Sequence, residues 1–173
     1  MTDHVLETWK GFLREEKEEK DDKVKGAGFI IFCPPKDSIL LIRRSEGGSI
    51  GELTGPGGGT EPDETPLETA VRETTEEVGK DLSGRAPIEE HEDINGDSIH
   101  VTFLVGSIGE FPCTLNSEHD AWGWIDIDEV NRAITKKGGV LISNKFHDRS
   151  GEKIEVKAQI HKNTIDALKQ FNI

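Results

Sequence analysis

The apolar positions of this chain follow two patterns: short apolar runs typical of β-strands and the 3–4-residue spacing typical of α-helices. The strand-like runs predict most of the regular structure. Residues 26–33, GAGFIIFC, and residues 38–44, SILLIRR, are apolar runs that predict two β-strands joined by a Pro-Pro-Lys-Asp turn. Two further runs, at residues 87–94 and 98–108, flank Asn95-Gly96-Asp97, which predicts a β-hairpin. Weaker strand patterns follow in AWGWIDI, GVLISN and KIEVK.

The best-marked helix begins after residue 65, where start and stop signals enclose an apolar stripe. Thr65 and Glu68 form a capping box, Pro66 stands at the first helical position, and Gly79 is suited to end the helix. Its packed face is predicted to hold Leu67, Ala70, Val71, Thr74 and Val78. Residues 45–60, before this helix, are so rich in glycine that we expect a loop without regular structure.

Helical spacing also occurs near both ends of the chain. Val5, Leu6, Trp9, Phe12 and Leu13 predict an N-terminal amphipathic helix, followed by the charged run EEKEEKDDK. Residues 157–171 carry a stripe that predicts a C-terminal helix, and EVNRAI predicts a short helix capped by Asp126 or Asp128. We therefore predict a helix and charged linker over residues 1–23 and one domain over residues 24–173. The irregular order of strands and helices predicts an α/β sandwich around a mixed sheet.

Composition limits the classes of protein that this chain can represent. Its 173 residues suit one domain, and no run approaches the roughly 18 apolar residues of a membrane span. The N-terminus lacks the apolar core of a signal peptide, so we expect a cytoplasmic protein with two reduced cysteines, Cys33 and Cys113. A net charge of −13 argues against binding a nucleic-acid polymer, which needs clustered basic residues.

The segment RETTEEVG places three like charges on one face of the best-marked helix. Glu73, Glu76 and Glu77 stand at i, i+3 and i+4, where each like-charge pair costs roughly 0.2–0.5 kcal/mol. One interpretation is a solvated helix face. The other is a metal site, because clustered carboxylates and a free loop carbonyl are the oxygen ligands that Mg²⁺ prefers. The glycine loop before the helix and the adjacent Arg72 favour the second interpretation.

The spacing of these residues resembles a known family motif. Seven residues match the fixed positions of the Nudix box, G-x5-E-x7-R-E-U-x-E-E-x-G-U, namely Gly58, Glu64, Arg72, Glu73, Glu76, Glu77 and Gly79. The chain departs only at two loosely apolar positions, which hold Thr74 and Lys80. The resemblance to the MutT-like Nudix hydrolases implies an α/β/α sandwich whose box forms a loop-helix-loop. It also implies Mg²⁺- or Mn²⁺-dependent hydrolysis of a nucleoside diphosphate linked to another group.

The resemblance assigns a role to each matched residue. Glu73, Glu76 and Glu77 match the metal-binding acids, and a backbone carbonyl near Gly57 or Gly58 matches the loop ligand, which we place at Gly58. Glu64 and Arg72 match the pair that braces the loop against the helix. Bound metal would neutralise the pyrophosphate and lower the pKa of a water, and a carboxylate would take its proton.

Further candidates lie outside the box. Glu118 stands a few residues before a tryptophan-bearing strand and resembles a glutamate that serves as ligand or base in many Nudix enzymes, so Glu76, Glu77 and Glu118 remain the candidate catalytic acids. Arg43 and Arg44 end a strand beside the glycine loop and could meet substrate phosphate. His119 is a lone loop histidine. Trp122 and Trp124 alternate along a strand, and we expect one of them to face the core.

The sequence says less about the substrate. The chain has no tyrosine, so the tyrosine of many bacterial dinucleoside polyphosphate hydrolases of the family is missing. Asn95-Gly96-Asp97 stand where many ADP-ribose hydrolases of the family carry a proline. The missing marks favour a nucleoside triphosphate or a related small nucleotide. A nucleotide sugar or dinucleotide substrate, or a nucleotide-sensing module without activity, remains the alternative. The N-terminal helix or the segment after about residue 136 could build a homodimer.

Overall fold

The computed structural model describes residues 23–173, so the predicted N-terminal helix and most of its linker lie outside the described residues. Three α-helices are present in that range: α1 (Pro66–Val78), α2 (Ile127–Lys136) and α3 (Lys162–Gln170). Its nine β-strands are β1 (Val24–Cys33), β2 (Ser38–Arg44), β3 (Leu53–Thr54), β4 (Gly57–Gly59), β5 (Glu89–Asn95), β6 (Ser98–Gly106), β7 (His119–Asp126), β8 (Val140–Asp148) and β9 (Lys153–Gln159).

All nine strands belong to one mixed sheet. Its main path runs β5-β6-β1-β2-β7-β8-β9, while β3 pairs with β2 and β4 pairs with β1. β1 and β6 are parallel, and the other strand pairs are antiparallel. The hairpin predicted at Asn95-Gly96-Asp97 is confirmed, since Asn95 pairs with Ser98 at the turn between β5 and β6.

Helices cover both faces of the sheet, which confirms the predicted α/β sandwich. On one face α1 packs Ala70 and Val78 against a cluster that includes Phe29 of β1. On the other face α2 and α3 contribute Val130 and Leu168 to a second buried cluster. Burial on both faces explains the continuous apolar runs of β1 and β2, whose side chains point alternately into the two clusters.

The predicted limits of the central helix are confirmed. The Thr65 hydroxyl accepts a hydrogen bond from the Glu68 amide, and the Glu68 carboxylate accepts one from the Thr65 amide at 2.8 Å. Gly79 ends the helix with φ of 71°, a left-handed conformation that glycine adopts readily. Thr74 is buried on the packed face, where its hydroxyl donates to the Ala70 carbonyl at 2.7 Å.

The prediction of an irregular loop over residues 45–60 was wrong in part, because β3 and β4 lie within it. β4 pairs with β1 so closely that a Cβ on Gly57 would stand 2.5 Å from the Gly28 Cα. Glycine therefore permits this strand pairing instead of preventing it. A sequence pattern of glycines alone does not distinguish that close approach from a flexible loop.

Three other expectations need correction. The C-terminal helix begins at Lys162 instead of residue 157, because residues 157–159 pair with β8 as the end of β9. Trp122 and Trp124 lie on the same face of β7, since side chains two residues apart in a strand point the same way. Asp126 is the N-cap of α2 but its side chain makes no capping hydrogen bond, and it pairs with Lys145 instead.

Within residues 23–173 no helix has the length and apolar character needed to cross a bilayer. Cys33 is buried, Cys113 is half-buried, and both thiols are free. Burial raises the pKa of the Cys113 thiol to about 12. Neither cysteine lies among the acidic residues of the candidate site.

Candidate active site

Arg72 links the glycine loop to the acids of α1. Its guanidinium donates to Glu64 through Nε at 2.7 Å and Nη2 at 3.1 Å, and Nη2 also reaches the Gly59 carbonyl at 2.8 Å. Nη1 donates to Glu73 at 2.8 Å and to Glu76 at 3.3 Å. The bonds from Arg72 to Glu64 lower the pKa of the Glu64 carboxyl to about 2. Arg72 thus contacts both Glu64 and the carbonyl of the glycine loop.

Glu73 lies directly against the glycine loop. A Cβ on Gly58 would stand 2.5 Å from the Glu73 carboxyl group, so a larger residue at this position would displace that carboxyl group. Burial raises the pKa of Glu73, and the contact with Arg72 opposes this shift. The Gly58 carbonyl oxygen faces β1, 2.7 Å from the position of a Cβ on Gly26. Successive carbonyls along a strand point in opposite directions, so the Gly57 carbonyl faces away from β1.

Glu77 is the most buried acid of the site. Its side chain is 2% exposed, and Oε2 accepts a hydrogen bond from the Gly57 amide at 2.8 Å. Burial raises the pKa of Glu77 to about 8, even though the Gly57 amide favours the charged form. The carboxyl group is therefore mainly protonated at neutral pH when no cation is near it. Glu76, in contrast, is 56% exposed at the edge of the site.

His119 packs against Glu77 from the neighbouring strand. Its Nε2 lies 3.7 Å from Glu77 Oε1, while Nδ1 contacts Asn116 Oδ1 at 3.2 Å. Asn116 Oδ1 also accepts from the Glu118 amide, so the histidine proton resides on Nδ1 and the Nε2 lone pair faces Glu77. Burial lowers the pKa of His119 to about 4. Both groups are therefore neutral near pH 7, and the contact is not an ion pair.

The two arginines at the end of β2 differ in their surroundings. Arg43 forms a two-pronged ion pair with Asp120, at 2.7 and 3.0 Å. A register shift follows Arg43, and Arg44 Nη2 lies 3.7 Å from the Glu118 carboxylate. The Arg44 Nε is buried without a hydrogen-bond partner among the described residues. Arg44 also lines the cleft described next, whereas Arg43 does not.

A cleft of about 790 Å³ extends from the glycine loop to the N-terminus of α3. Arg44 and residues 54–59 form the end nearest the acids, and His100, His161 and Lys162 lie among the residues at the other end. The His100 ring occupies the space above Gly26, where a Cβ would stand 2.8 Å from Nδ1. Burial lowers the pKa of His100. The cleft therefore combines apolar walls with charged side chains, such as Arg44 and Lys162, and with the imidazole of His100.

A second cavity, of about 560 Å³, is lined by the aromatic residues of β7 and the loop before it. Trp122 stacks on His147 with ring centroids 4.6 Å apart. Trp124 donates from Nε1 to the Phe111 carbonyl at 2.9 Å, and the two rings meet edge to face. Both tryptophans are thus engaged in packing contacts.

A protein-family model described as the NUDIX domain matches residues 22–145. This chain belongs to the Nudix family. Pig bis(5′-nucleosyl)-tetraphosphatase [asymmetrical] is 31% identical to this Nudix protein over 122 residues, which cover 62% of this chain and 82% of the relative. The putative 8-oxo-dGTP diphosphatase 3 of Mycobacterium tuberculosis is 34% identical over 117 residues, covering 60% of this chain and 52% of that protein.

Solved structures agree with the fold of this Nudix domain. The MutT NUDIX hydrolase of Burkholderia pseudomallei aligns with a TM-score of 0.56 and 20% identity, covering 86% of this chain and 96% of its own. The Ap4A hydrolase of C. elegans aligns with a TM-score of 0.54 and 22% identity, covering 66% of this chain and 90% of its own. These structures show the fold alone, while the family model and the sequence relatives identify the chain as a Nudix pyrophosphohydrolase.

Nudix hydrolases generally use divalent metal ions, and the acids of this Nudix domain are of a suitable kind. In the described residues no three acidic, histidine or cysteine side chains converge closely enough to enclose an ion. Arg72 instead holds Glu73 and Glu76, and Glu77 is buried without a contacting cation. A cation bound beside Glu77, Glu73 and Glu76 would favour the charged carboxylates and so lower the raised pKa of Glu77. The donor set therefore fits a hard divalent ion.

Sequence reasoning brought together the seven box residues and named His119 only as a lone loop histidine, but it missed Asn116 and Arg149 near Glu118. Asn116 and His119 connect the Glu118 loop to Glu77, and Arg149 bonds the backbone of the same loop. For His119 the only local signal is its position next to Glu118. Arg149 has no such signal, because it lies at the turn between β8 and β9, far in sequence from the Glu118 loop that it contacts.

Proposed function

We propose that this Nudix hydrolase cleaves a pyrophosphate bond of a nucleoside triphosphate or a related small nucleotide, in a reaction that requires Mg²⁺ or Mn²⁺. The observation that carries the proposal is the position of Glu73, Glu76 and Glu77 on α1, beside the glycine loop that forms one end of the cleft. The cleft volume of about 790 Å³ suits a single nucleotide.

The acids of α1 and one loop carbonyl would hold the metal. We assign Glu73, Glu76 and Glu77 as its carboxylate ligands, and the carbonyl of Gly57, rather than Gly58, as its backbone ligand, because the Gly58 oxygen faces β1. A cation held there would neutralise pyrophosphate oxygens and lower the pKa of a water.

Arg44 is the residue that we assign to substrate phosphate. It lines the cleft, and the contact of its Nη2 with Glu118 is long at 3.7 Å, so the guanidinium is available to a phosphate oxygen. Arg43 would have to give up its two-pronged pair with Asp120 to make the same contact. The phosphate chain would then run from the cleft past Arg44 to the acids.

Glu118 is the carboxylate that we assign as the general base. Glu73 and Glu77 are enclosed by Arg72 and the Gly57 amide, whereas the Glu118 side chain is 49% exposed and ends near Arg44. A base must reach the proton of a water, and an exposed carboxylate at the edge of the site can do so. Glu76 and Glu77, the other candidates, would then serve as ligands.

A dinucleoside polyphosphate is the second candidate substrate. It is favoured by the 31% identity to the pig asymmetrical bis(5′-nucleosyl)-tetraphosphatase, which extends over 82% of that enzyme. Both candidates present a pyrophosphate bond to the same acids. They differ in whether the group beyond the cleaved bond is phosphate or a second nucleotide.

A nucleotide panel tests the function. Nucleoside and deoxynucleoside triphosphates, diadenosine tetraphosphate and a nucleotide sugar are incubated with the protein and Mg²⁺, and products are separated by ion-exchange chromatography. Glu76→Gln should lower turnover by on the order of 10²–10³-fold, as for loss of other electrostatic stabilisers, with an unchanged circular dichroism spectrum. Glu155→Gln, at an exposed position of β9, is the matched control. Nucleotide binding without turnover would identify a sensing module instead.

A further inference from the structure

The turn between β8 and β9 contacts the loop that carries Glu118. Arg149, at this turn, donates from Nε to the His119 carbonyl at 2.7 Å and from Nη2 to the Ser117 carbonyl. The same Nη2 reaches the Ser45 hydroxyl at 3.1 Å. One guanidinium therefore bonds the residues on both sides of Glu118. Arg149 lies beyond residues 22–145, the segment that matches the family model.

The turn that presents Arg149 is held by its own hydrogen bonds. Asp148 Oδ1 accepts from the Ser150 amide at 2.8 Å, the Ser150 hydroxyl at 2.6 Å and the Glu152 amide at 3.0 Å. The Asp148 amide donates to the Glu152 carbonyl at 2.9 Å, and Asp148 pairs with Ala121 of β7. The backbone at Arg149 is thus fixed relative to the strand that follows Glu118.

The Glu118 peptide is also held by hydrogen bonds of its own. The Ser45 amide donates to the Glu118 carbonyl at 2.8 Å, and the Glu118 amide donates to Asn116 Oδ1 at 3.1 Å. The amide and the carbonyl of Glu118 are therefore both hydrogen-bonded. The Glu118 carboxylate, in contrast, has one long contact, 3.7 Å to Arg44. Its position depends on the backbone more than on partners of its own.

We propose that Arg149 is a positioning residue that fixes the Glu118 carboxylate for the hydrolytic step, an inference that rests on the proposed role of Glu118 as base. Arg149 acts through the loop and does not touch the substrate. The planar guanidinium is suited to this role because its fixed donors reach two carbonyls and a hydroxyl at once, which a lysine ammonium does not reproduce. Displacement of a catalytic group by about 1 Å can cost on the order of 10²-fold in rate.

A double-mutant comparison tests the proposal. Arg149→Met should lower kcat by about 10–100-fold, the range for residues that orient catalytic groups, with KM nearly unchanged. In a Glu118→Gln background the same substitution should change kcat by less than about 2-fold, because the residue through which it acts is already lost. Arg132→Met, at an exposed position of α2, is the matched control and should leave kcat unchanged.

The outcomes separate positioning from general stability. A loss of kcat by the same factor in both backgrounds, or a wild-type kcat for Arg149→Met, would overturn the proposal. If Arg149→Met does not fold, Arg149→Ala is assayed with and without added guanidinium, and rescue of kcat only when Glu118 is intact supports the proposal, while rescue in both backgrounds or in neither overturns it. A wild-type rate for Glu118→Gln would refute the base assignment and this proposal, yet leave hydrolysis itself established by the nucleotide panel.

Discussion

The buried carboxyl group of Glu77 predicts an unusual dependence of stability on pH. The pKa of this carboxyl is raised from 4.5 to about 8 in the folded protein. The native state therefore binds more protons than the unfolded state, so the group stabilises the fold at low pH and this stability is lost as pH rises toward 8. Glu77→Gln replaces it with a neutral amide of similar shape that cannot ionise.

The size of the effect follows from the pH interval in which Glu77 dominates. The pKa of His119 is lowered from 6.5 to about 4, so its effect on stability lies mainly below pH 6.5 and fades within about one unit above it. Between pH 6.5 and pH 8 the Glu77 carboxyl is ionised in the unfolded state and mainly protonated in the folded state. This pH rise of 1.5 units therefore lowers the free energy of unfolding by about 2 kcal/mol. For a domain of this size that corresponds to about 4–8 °C in Tm.

The assay is thermal unfolding in EDTA at pH 6.5 and pH 8, with wild type, Glu77→Gln and Glu155→Gln. Relative to wild type, Glu77→Gln should gain about 2 kcal/mol over this interval, while Glu155→Gln follows wild type. Mg²⁺ should then stabilise wild type more at pH 8 than at pH 6.5, because metal ligands must be deprotonated. A difference between Glu77→Gln and wild type that is equal at both pH values would refute the reasoning.

Two further substitutions test the loop and the helix cap. Gly58→Ala would bring a methyl group to 2.5 Å from the Glu73 carboxyl, so we expect weaker Mn²⁺ binding and at least about 10-fold lower kcat. Gly84→Ala, with open space around the added methyl, should match wild type, and equal Mn²⁺ affinity in all three proteins would contradict the account. Thr65→Ala removes the hydroxyl bonded to the Glu68 amide and should lower unfolding free energy by about 1 kcal/mol. An unchanged denaturant midpoint would count against the capping box.

Local sequence signals predicted most of the strands and helices, and they indicated the acidic residues of α1 as site candidates. The capping box at Thr65 and the turn at Asn95 each depend on only a few consecutive residues, and both are confirmed. The strand formed by residues 57–59 was missed because it depends on how closely β1 approaches, which no short segment encodes. The C-terminal helix was started too early because its apolar spacing continues into β9, whose pairing decides the boundary.

The other half of the site depends on contacts between distant segments. Glu77 and His119 come from a helix and a strand, and their raised and lowered pKa values result from shared burial. Arg44 and Glu118 were chosen from their places beside the glycine loop and the tryptophan strand, yet the difference between Arg43 and Arg44 required the register shift in β2. Side-chain identity indicated candidates, and only the packing distinguished them.

The long reach of Arg149 has a consequence for when the catalytic centre becomes complete. Its bond to Ser45 joins residues 104 positions apart, whereas the Gly57–Glu77 bond spans 20. Contacts between near neighbours in sequence form faster than distant ones. During synthesis the glycine loop and its glutamates therefore leave the ribosome well before Arg149 exists. We expect a growing chain to remain inactive toward nucleotides until its last hairpin has been made and has docked.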